Sequence, residues 1–79
     1  MKTEAFVAML EDVLGVPKGS LKMEDGPNTV ERWDSLGGVT ILAVIDQELH
    51  FEPSDELVSK SSTVGHIIEV LKSQGLLQD

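Results

Sequence analysis

The residues best suited to chemistry lie at one junction, Trp33-Asp34-Ser35-Leu36. Asp34 and Ser35 both suit the start of a helix, where a side-chain oxygen accepts a backbone N–H that has no partner within the helix. A serine at the first helical position holds its hydroxyl towards solvent, and the helix N-terminus behind it favours an anion such as a phosphodiester. Ordinary capping explains the same residues, so the spacing alone leaves both interpretations open.

No other residues form a pattern typical of an active site. His50 and His66 are the two histidines, and nothing in the sequence brings either of them to a nucleophile. Cysteine is absent, and the spacings typical of metal sites do not occur. Gly37 and Gly38 lack the preceding strand and the further glycine spacing of a phosphate-binding loop. We therefore expect a protein that is not an enzyme.

Apolar periodicity predicts a first helix from Thr3 to Leu14, with Thr3 as its cap and Gly15 at its end. A long connection from Val16 to Trp33 follows. Loops of this length need anchors in the core. We expect the anchors to be its large apolar residues Leu21, Val30 and Trp33.

A second helix is predicted to begin at Asp34 or Ser35 and to continue to about His50. Apolar residues at spacings of three and four predict its buried stripe. The stripe consists of Leu36, Val39, Leu42, Ile45 and Leu49, while Ile41, Ala43 and Val44 add apolar surface outside it.

After the second helix, the sequence pattern predicts a short helical turn from Ser54 to Val58. A last helix is predicted to begin after Ser61-Ser62-Thr63, and any of these three residues can cap it. The inward face of the last helix should consist of Val64, Ile67, Ile68 and Leu71, and Gly75 should follow its end. His66 should lie on the flank of this helix. The predicted fold is all-α: a small four-helix bundle of three main helices and one short helix, with a long loop between the first two, in one domain over residues 1–79.

Composition supports a folded domain and excludes some partners. Leu, Ile, Val and Phe make up 25 of the 79 residues, a larger share than the ~20% below which chains are typically disordered. The net charge of −8 repels phosphate backbones, so we expect no nucleic-acid partner. The longest nearly apolar run, Val39 to Ile45, is far shorter than the ~20 residues that cross a bilayer. No secretory signal is recognisable either, so we expect no membrane insertion and a cytoplasmic location.

Negative charge is concentrated around the second helix. From Asp34 to Ser59 there is no Lys or Arg, while the stretch holds six acids: Asp34, Asp46, Glu48, Glu52, Asp55 and Glu56. Apolar residues beside charge of one sign are typical of a docking surface for basic partners. An acidic face that only keeps the domain soluble is the alternative.

These residues together resemble the acyl carrier proteins of the phosphopantetheine-binding family. The resemblance covers nearly the whole chain. Asp34-Ser35-Leu36 is similar to the modification motif of the family, the acidic helix after it to the recognition helix, and Ser62-Thr63-Val64 to the start of the last helix.

The resemblance implies that Ser35 carries 4′-phosphopantetheine through a phosphodiester. A separate magnesium-dependent phosphopantetheinyl transferase would install the group from coenzyme A, with Asp34 and Leu36 helping that enzyme to recognise the site. Acyl groups would be held on the terminal thiol, in a core lined by Phe6, Leu42, Ile45, Ile67 and Leu71. The other implied partners are acyl-transferring or condensing enzymes with basic docking surfaces, which a monomeric carrier would meet through Thr40, Ala43, Val44, Asp46, Gln47, Pro53 and Asp55.

This chain departs from the fatty-acid carriers at Gly37, Thr40 and Gln47, where they often have acids. Trp33 before the triplet is more similar to carriers of specialised lipid, polyketide or peptide pathways, so a role in routine fatty acid biosynthesis is less well supported than the role of carrier. The alternative from a different class is an acidic helical protein-interaction module that is never modified.

Overall fold

The computed structural model describes residues 1–59 and 62–78, and the regular structure within these ranges is helical. Helix α1 covers Thr3–Leu14, α2 covers Ser35–Leu49, a 3₁₀ helix covers Asp55–Val58, and α3 covers Val64–Ser73. The two ranges contain no strand, only an isolated parallel bridge between Lys2 and Gln78. The prediction of an all-helical fold with a long loop between α1 and α2 is confirmed.

Helix α1 has the predicted bounds but not the predicted cap. Gly15 ends it in the left-handed region, at a φ of 67°. At the other end Lys2 is the N-cap residue and contributes no side-chain hydrogen bond, so the prediction of Thr3 as the cap is wrong. The reason is that the chain end folds back beside α1: the Thr3 amide donates to the Gln78 carbonyl at 2.8 Å. A distant backbone oxygen thus satisfies a donor that the helix leaves unpaired.

The core is built from α1, α2, the 3₁₀ helix, α3, the loop between α1 and α2, and the C-terminal segment. Its buried apolar side chains are Phe6, Leu10, Leu14, Leu21, Val30, Trp33, Ile41, Ile45, Leu57, Val64, Ile67, Ile68, Leu71 and Leu77. This set contains all three predicted loop anchors and the whole predicted inward face of α3, so both predictions are confirmed.

The predicted buried stripe of α2 is wrong at its first two members. Leu36 and Val39, which were its first two members, are 75% and 62% exposed. Ile41, predicted outside the stripe, is fully buried together with Ile45. The other members agree with the prediction, since Ile45 is buried and the half-buried Leu42 and Leu49 pack against the core.

Gly38 explains which face of α2 turns inward. It is buried, and a Cβ at this position would lie 3.2 Å from Cγ2 of Val58. The missing side chain therefore lets α2 pack closely against the 3₁₀ helix. Gly38, Ile41 and Ile45 are spaced at three and four residues, so the contact that Gly38 permits also turns the two isoleucines into the core.

The long loop is held to α1 by a buried carboxylate. Glu11 is only 4% exposed, and its Oε2 accepts the backbone amides of Gly19 at 2.8 Å and Leu21 at 3.0 Å. These two hydrogen bonds, with a smaller contribution from the charge of Lys18, lower the pKa of Glu11 below its ordinary value although burial opposes the shift. The carboxylate thus fixes the path of the loop next to its anchor Leu21.

The same loop caps α3 with backbone oxygens. The amide of Val64 donates to the Asp25 carbonyl at 2.8 Å, and that of Gly65 donates to the Met23 carbonyl at 2.9 Å. The Thr63 hydroxyl accepts the amide of His66 at 3.1 Å, which confirms Thr63 among the predicted caps, whereas Ser61 lies outside the described residues. The backbone N–H groups of the first three residues of α3, which have no acceptor within the helix, therefore all donate to oxygens outside it.

Within residues 1–59 and 62–78, no helix combines the length and the apolar character that a membrane span requires.

The Glu11 hydrogen bonds predict a specific acid sensitivity. Because folding lowers the pKa of Glu11, its contribution to stability is fully present above the ordinary value of 4.5 and is lost as the pH falls through the lower folded value. We expect Glu11→Gln to be less stable than the parent at pH 7 and to lose less of its remaining stability on acidification. Urea unfolding at a series of pH values from 7 to 3 measures both effects. Asp12→Asn, which alters an exposed acid on the same helix, is the control, and parallel pH profiles for the parent and Glu11→Gln would contradict the role of Glu11.

Because Ile41 is buried and Val39 is exposed, alanine substitution should destabilise the protein at Ile41 and leave its stability almost unchanged at Val39. Ile41→Ala should lower the free energy of unfolding by about 2–5 kcal/mol, because it opens a cavity in the core. Val39→Ala should change it by less than about 0.5 kcal/mol, because the side chain is exposed. Urea unfolding at pH 7 measures both values. A larger decrease in the free energy of unfolding for Val39→Ala than for Ile41→Ala would show that Val39 faces the core, as the stripe had predicted.

Candidate functional site

The candidate site lies at the start of α2, where Asp34 is the N-cap residue. Its backbone is extended, at φ −94° and ψ −165°, and its Oδ1 accepts the amide of Gly37 at 2.9 Å. Its carbonyl accepts the amide of Gly38 at 2.9 Å, which is the first hydrogen bond of the helix. Of the two predicted capping residues, Asp34 is therefore the one that caps.

Ser35 is the first residue of α2, and it is exposed. Because Asp34 supplies the side-chain cap, the cap does not use the Ser35 hydroxyl. The hydroxyl stands where the partial positive charge of a helix N-terminus acts on its surroundings. An exposed oxygen nucleophile at such a place can be esterified, and a phosphate attached to it would be in a favourable field.

Gly37 is required by the turn that leads into the helix. A Cβ at this position would collide with the backbone carbonyl of Arg32. The tight turn continues upstream, where the amide of Trp33 donates to the Val30 carbonyl at 3.0 Å. The sequence did not predict this function of Gly37, since a close approach between backbones leaves no periodic signal.

Trp33 anchors the turn in the core. It is only 2% exposed, yet its indole Nε1 is buried without a hydrogen-bond partner in the described part of the chain. Buried polar atoms are nearly always paired in native proteins. Trp33 also lines a cleft of about 460 Å³ that reaches Ser35; its walls are Pro27, Asn28, Trp33, Asp34, Ser35, Val58 and Ser59.

An exposed apolar face begins next to Ser35. Leu36 and Val39 are the most exposed large apolar side chains of the described residues, and Thr40 lies beside them, its hydroxyl donating to the Leu36 carbonyl at 2.9 Å. We call Leu36, Val39, Thr40, Ala43 and Gln47 the outer face of α2; helical periodicity places all five on one side. The outer face contains three of the predicted partner-binding residues, together with Val39, which the sequence had assigned to the core.

The remaining predicted partner-binding residues are distributed less regularly. Asp46 is exposed on α2, and Asp55 is exposed at the start of the 3₁₀ helix. Val44 and Pro53 are half-buried, so each offers only part of its side chain to a partner.

Neither histidine belongs to the site. His50 ends α2 in the left-handed region, at a φ of 53°, and His66 is exposed on α3, as predicted. Among residues 1–59 and 62–78, no group of three or more His, Cys, Asp or Glu residues is placed to hold a metal ion.

Comparisons with protein-family models, with curated proteins and with solved structures give no significant match for this chain. The interpretation of the site therefore depends on its own residues. They offer one exposed hydroxyl at a helix N-terminus, a cleft beside it and an apolar face after it.

Proposed function

We propose that this chain is an acyl carrier protein and that Ser35 is the attachment point of 4′-phosphopantetheine. The observation that carries the proposal is the exposed Ser35 at the first position of α2, next to an Asp34 that has taken over the capping. A serine that served only as a cap would use its own oxygen for that purpose. In this proposal the three α-helices and the 3₁₀ helix form the small four-helix bundle of such carriers.

The residues around Ser35 fit the proposed group. Its phosphodiester would lie at the N-terminus of α2, where a negative charge is stabilised by about 0.3–1 kcal/mol, and the cleft beside Ser35 has room for a linear chain. The group supplies the thiol on which acyl groups are carried as thioesters. This chain contains no cysteine of its own.

The chain requires a partner enzyme to activate Ser35. Among the described residues, Asp34 is the only ionisable one in the cleft wall, and its carboxylate is engaged by the Gly37 amide. We therefore assign the general base to a magnesium-dependent transferase, which removes the hydroxyl proton as the Oγ–phosphorus bond forms and the phosphoanhydride of coenzyme A breaks. Adenosine 3′,5′-bisphosphate is the leaving group.

The outer face of α2 is the proposed docking surface. Leu36 and Val39 give it an apolar centre, and Asp46, next to Gln47 in the sequence, is an exposed acid on the same helix. This combination suits partners that have an apolar patch with a basic rim, such as acyl-transferring or condensing enzymes. Thr40 and Gln47 carry no charge, which we take as a sign of a specialised lipid, polyketide or peptide pathway, with the carrier acting as a cytoplasmic monomer.

The attachment is tested by intact mass. After incubation with coenzyme A, Mg²⁺ and a promiscuous phosphopantetheinyl transferase, the protein should gain the mass of one phosphopantetheine group. Ser35→Ala should gain nothing, because the nucleophile is absent. Ser54→Ala, which removes another exposed hydroxyl, is the matched control and should be modified like the parent.

Two outcomes would overturn the carrier function. The parent could gain no mass although a known carrier in the same tube is modified, or Ser35→Ala could gain as much as the parent. The first outcome would favour the unmodified interaction module, which requires only the exposed acids on and near α2.

The docking surface is tested by the rate of the same reaction. Leu36→Ala should lower kcat/KM of the transferase for the carrier about fivefold or more, because truncating a central contact of an interface costs more than about 1 kcal/mol. Its Tm should stay that of the parent, since the side chain is exposed. Met23→Ala removes an exposed apolar side chain away from α2 and should leave the rate unchanged. Equal rates for Leu36→Ala and Met23→Ala would exclude Leu36 from the interface.

A further inference from the structure

The first part of the loop between α1 and α2 is attached to α1 through one buried carboxylate. The amides of Gly19 and Leu21 both donate to Oε2 of Glu11, at 2.8 Å and 3.0 Å. Glu11 is buried, whereas residues 18–20 are exposed. We call residues 18–21 the strap. It is a surface segment that an interior group holds against α1.

The next part of the loop has attachments of its own. The carboxylate of Asp25 accepts the amide of Lys22 at 2.8 Å and the hydroxyl of Thr29 at 2.9 Å. The carbonyl of Asp25 accepts the amide of Val64 at 2.8 Å, which fastens the loop to α3. None of these hydrogen bonds involves the strap or Glu11. The strap can therefore leave α1 while the contacts between the loop and α3 stay intact.

In the described part of the chain, little else attaches the strap to the protein. The amide and the hydroxyl of Ser20 both donate to the nearby Pro17 carbonyl, so these hydrogen bonds stay within the loop. A Cβ on Gly19 would meet no described atom within 4 Å. Leu21 is the one side chain of the strap that is buried. The strap is thus held by the burial of Leu21 and by the Glu11 carboxylate, and only the carboxylate responds to acid.

The charge of Glu11 determines how strongly the strap is held. An ionised carboxylate accepts backbone amides in hydrogen bonds roughly twice as strong as neutral ones. These two hydrogen bonds lower the pKa of Glu11 below its ordinary value of 4.5, burial opposes them, and the charge of Lys18 adds to the lowering. Lys2 and Glu4, at the start of α1, line the same groove as Glu11 and Lys18. The strap is therefore held fully above pH 4.5 and less strongly as the pH falls through the lower folded value.

We propose that Glu11 is an acid-sensitive fastening of the strap: its carboxylate holds residues 18–21 on α1, and its protonation releases them while the rest of the fold stays closed. The strap forms part of the wall of a groove of about 670 Å³, to which α1 contributes Ala5 and Ala8. Release of the strap opens this groove and exposes Leu21. This local opening does not depend on Ser35 or on the proposed function.

Amide hydrogen exchange, followed residue by residue with NMR and expressed as protection against exchange, tests the proposal. Between pH 7 and pH 3 the protection of the Gly19 and Leu21 amides should fall about threefold or more, because Glu11 takes up a proton more readily when the strap is open. Val30, whose amide donates to the Gly26 carbonyl at 2.9 Å in the same loop, should keep its protection. A fall at Val30 as large as that at the two strap amides would show global unfolding and overturn the proposal.

A substitution separates the carboxylate from other effects of acid. In Glu11→Gln at pH 7 the strap amides should exchange about fivefold or more faster than in the parent, since neutral hydrogen bonds replace charge-assisted ones. Their protection should no longer depend on pH. Asp12→Asn, which alters an exposed acid on α1, should behave like the parent. A pH dependence of Gly19 and Leu21 that persists in Glu11→Gln would refute the role of Glu11. If Glu11→Gln does not fold, the pH series of the parent decides.

Discussion

The hydrogen bond from the Gly37 amide to the Asp34 carboxylate fixes where α2 begins, and the site depends on that position. Trp33, one residue earlier, is locked in the core, so the chain has no freedom to start the helix at another residue. Ser35 lies between the buried Trp33 and the first turn that Asp34 caps, and with both neighbours fixed its side chain faces solvent. The exposure of Leu36 and Val39 follows from the same constraint, because the helical period then sets the direction of every later residue.

The hydrogen bonds of the loop between α1 and α2 help to hold Trp33 and the start of α2 in place. Glu11 holds its first part through two backbone amides, and the carbonyls of Met23 and Asp25 hold its middle against α3. Since Trp33 ends the loop, these hydrogen bonds also stabilise the position from which α2 starts. A long connection without strands or helices is thus as well determined as the helices that it joins, because its polar backbone groups have specific partners.

Local signals predicted much of this structure. The bounds of α1, the loop anchors and the short sets of residues that contain the caps of α2 and α3 all depend on residues close together in the sequence, and such patterns are readable there. The sequence did not choose Asp34 over Ser35, nor Thr63 over Ser61 and Ser62. The buried face of α2 could not be predicted in this way. Apolar residues occur around most of the circumference of this helix, so their periodicity does not determine which of them face the core. The choice depends on Gly38 meeting Val58, a contact between distant segments. The carboxylate of Glu11 and the carbonyl of Gln78 were missed for the same reason, since each satisfies amides that are remote in sequence or without a pattern.

The backbone capping of α3 has a consequence for how the chain acquires its structure. The acceptors for Val64 and Gly65 belong to Asp25 and Met23, about forty positions earlier, so the first turn of this helix is completed only when a large segment has closed upon it. Closing that segment costs conformational entropy of the chain before the stabilising hydrogen bonds can form. Small helical proteins usually assemble quickly because their contacts are local, whereas distant contacts slow the search. We expect the last helix to form late and together with the loop, which would make assembly slower and more cooperative than the helical content suggests.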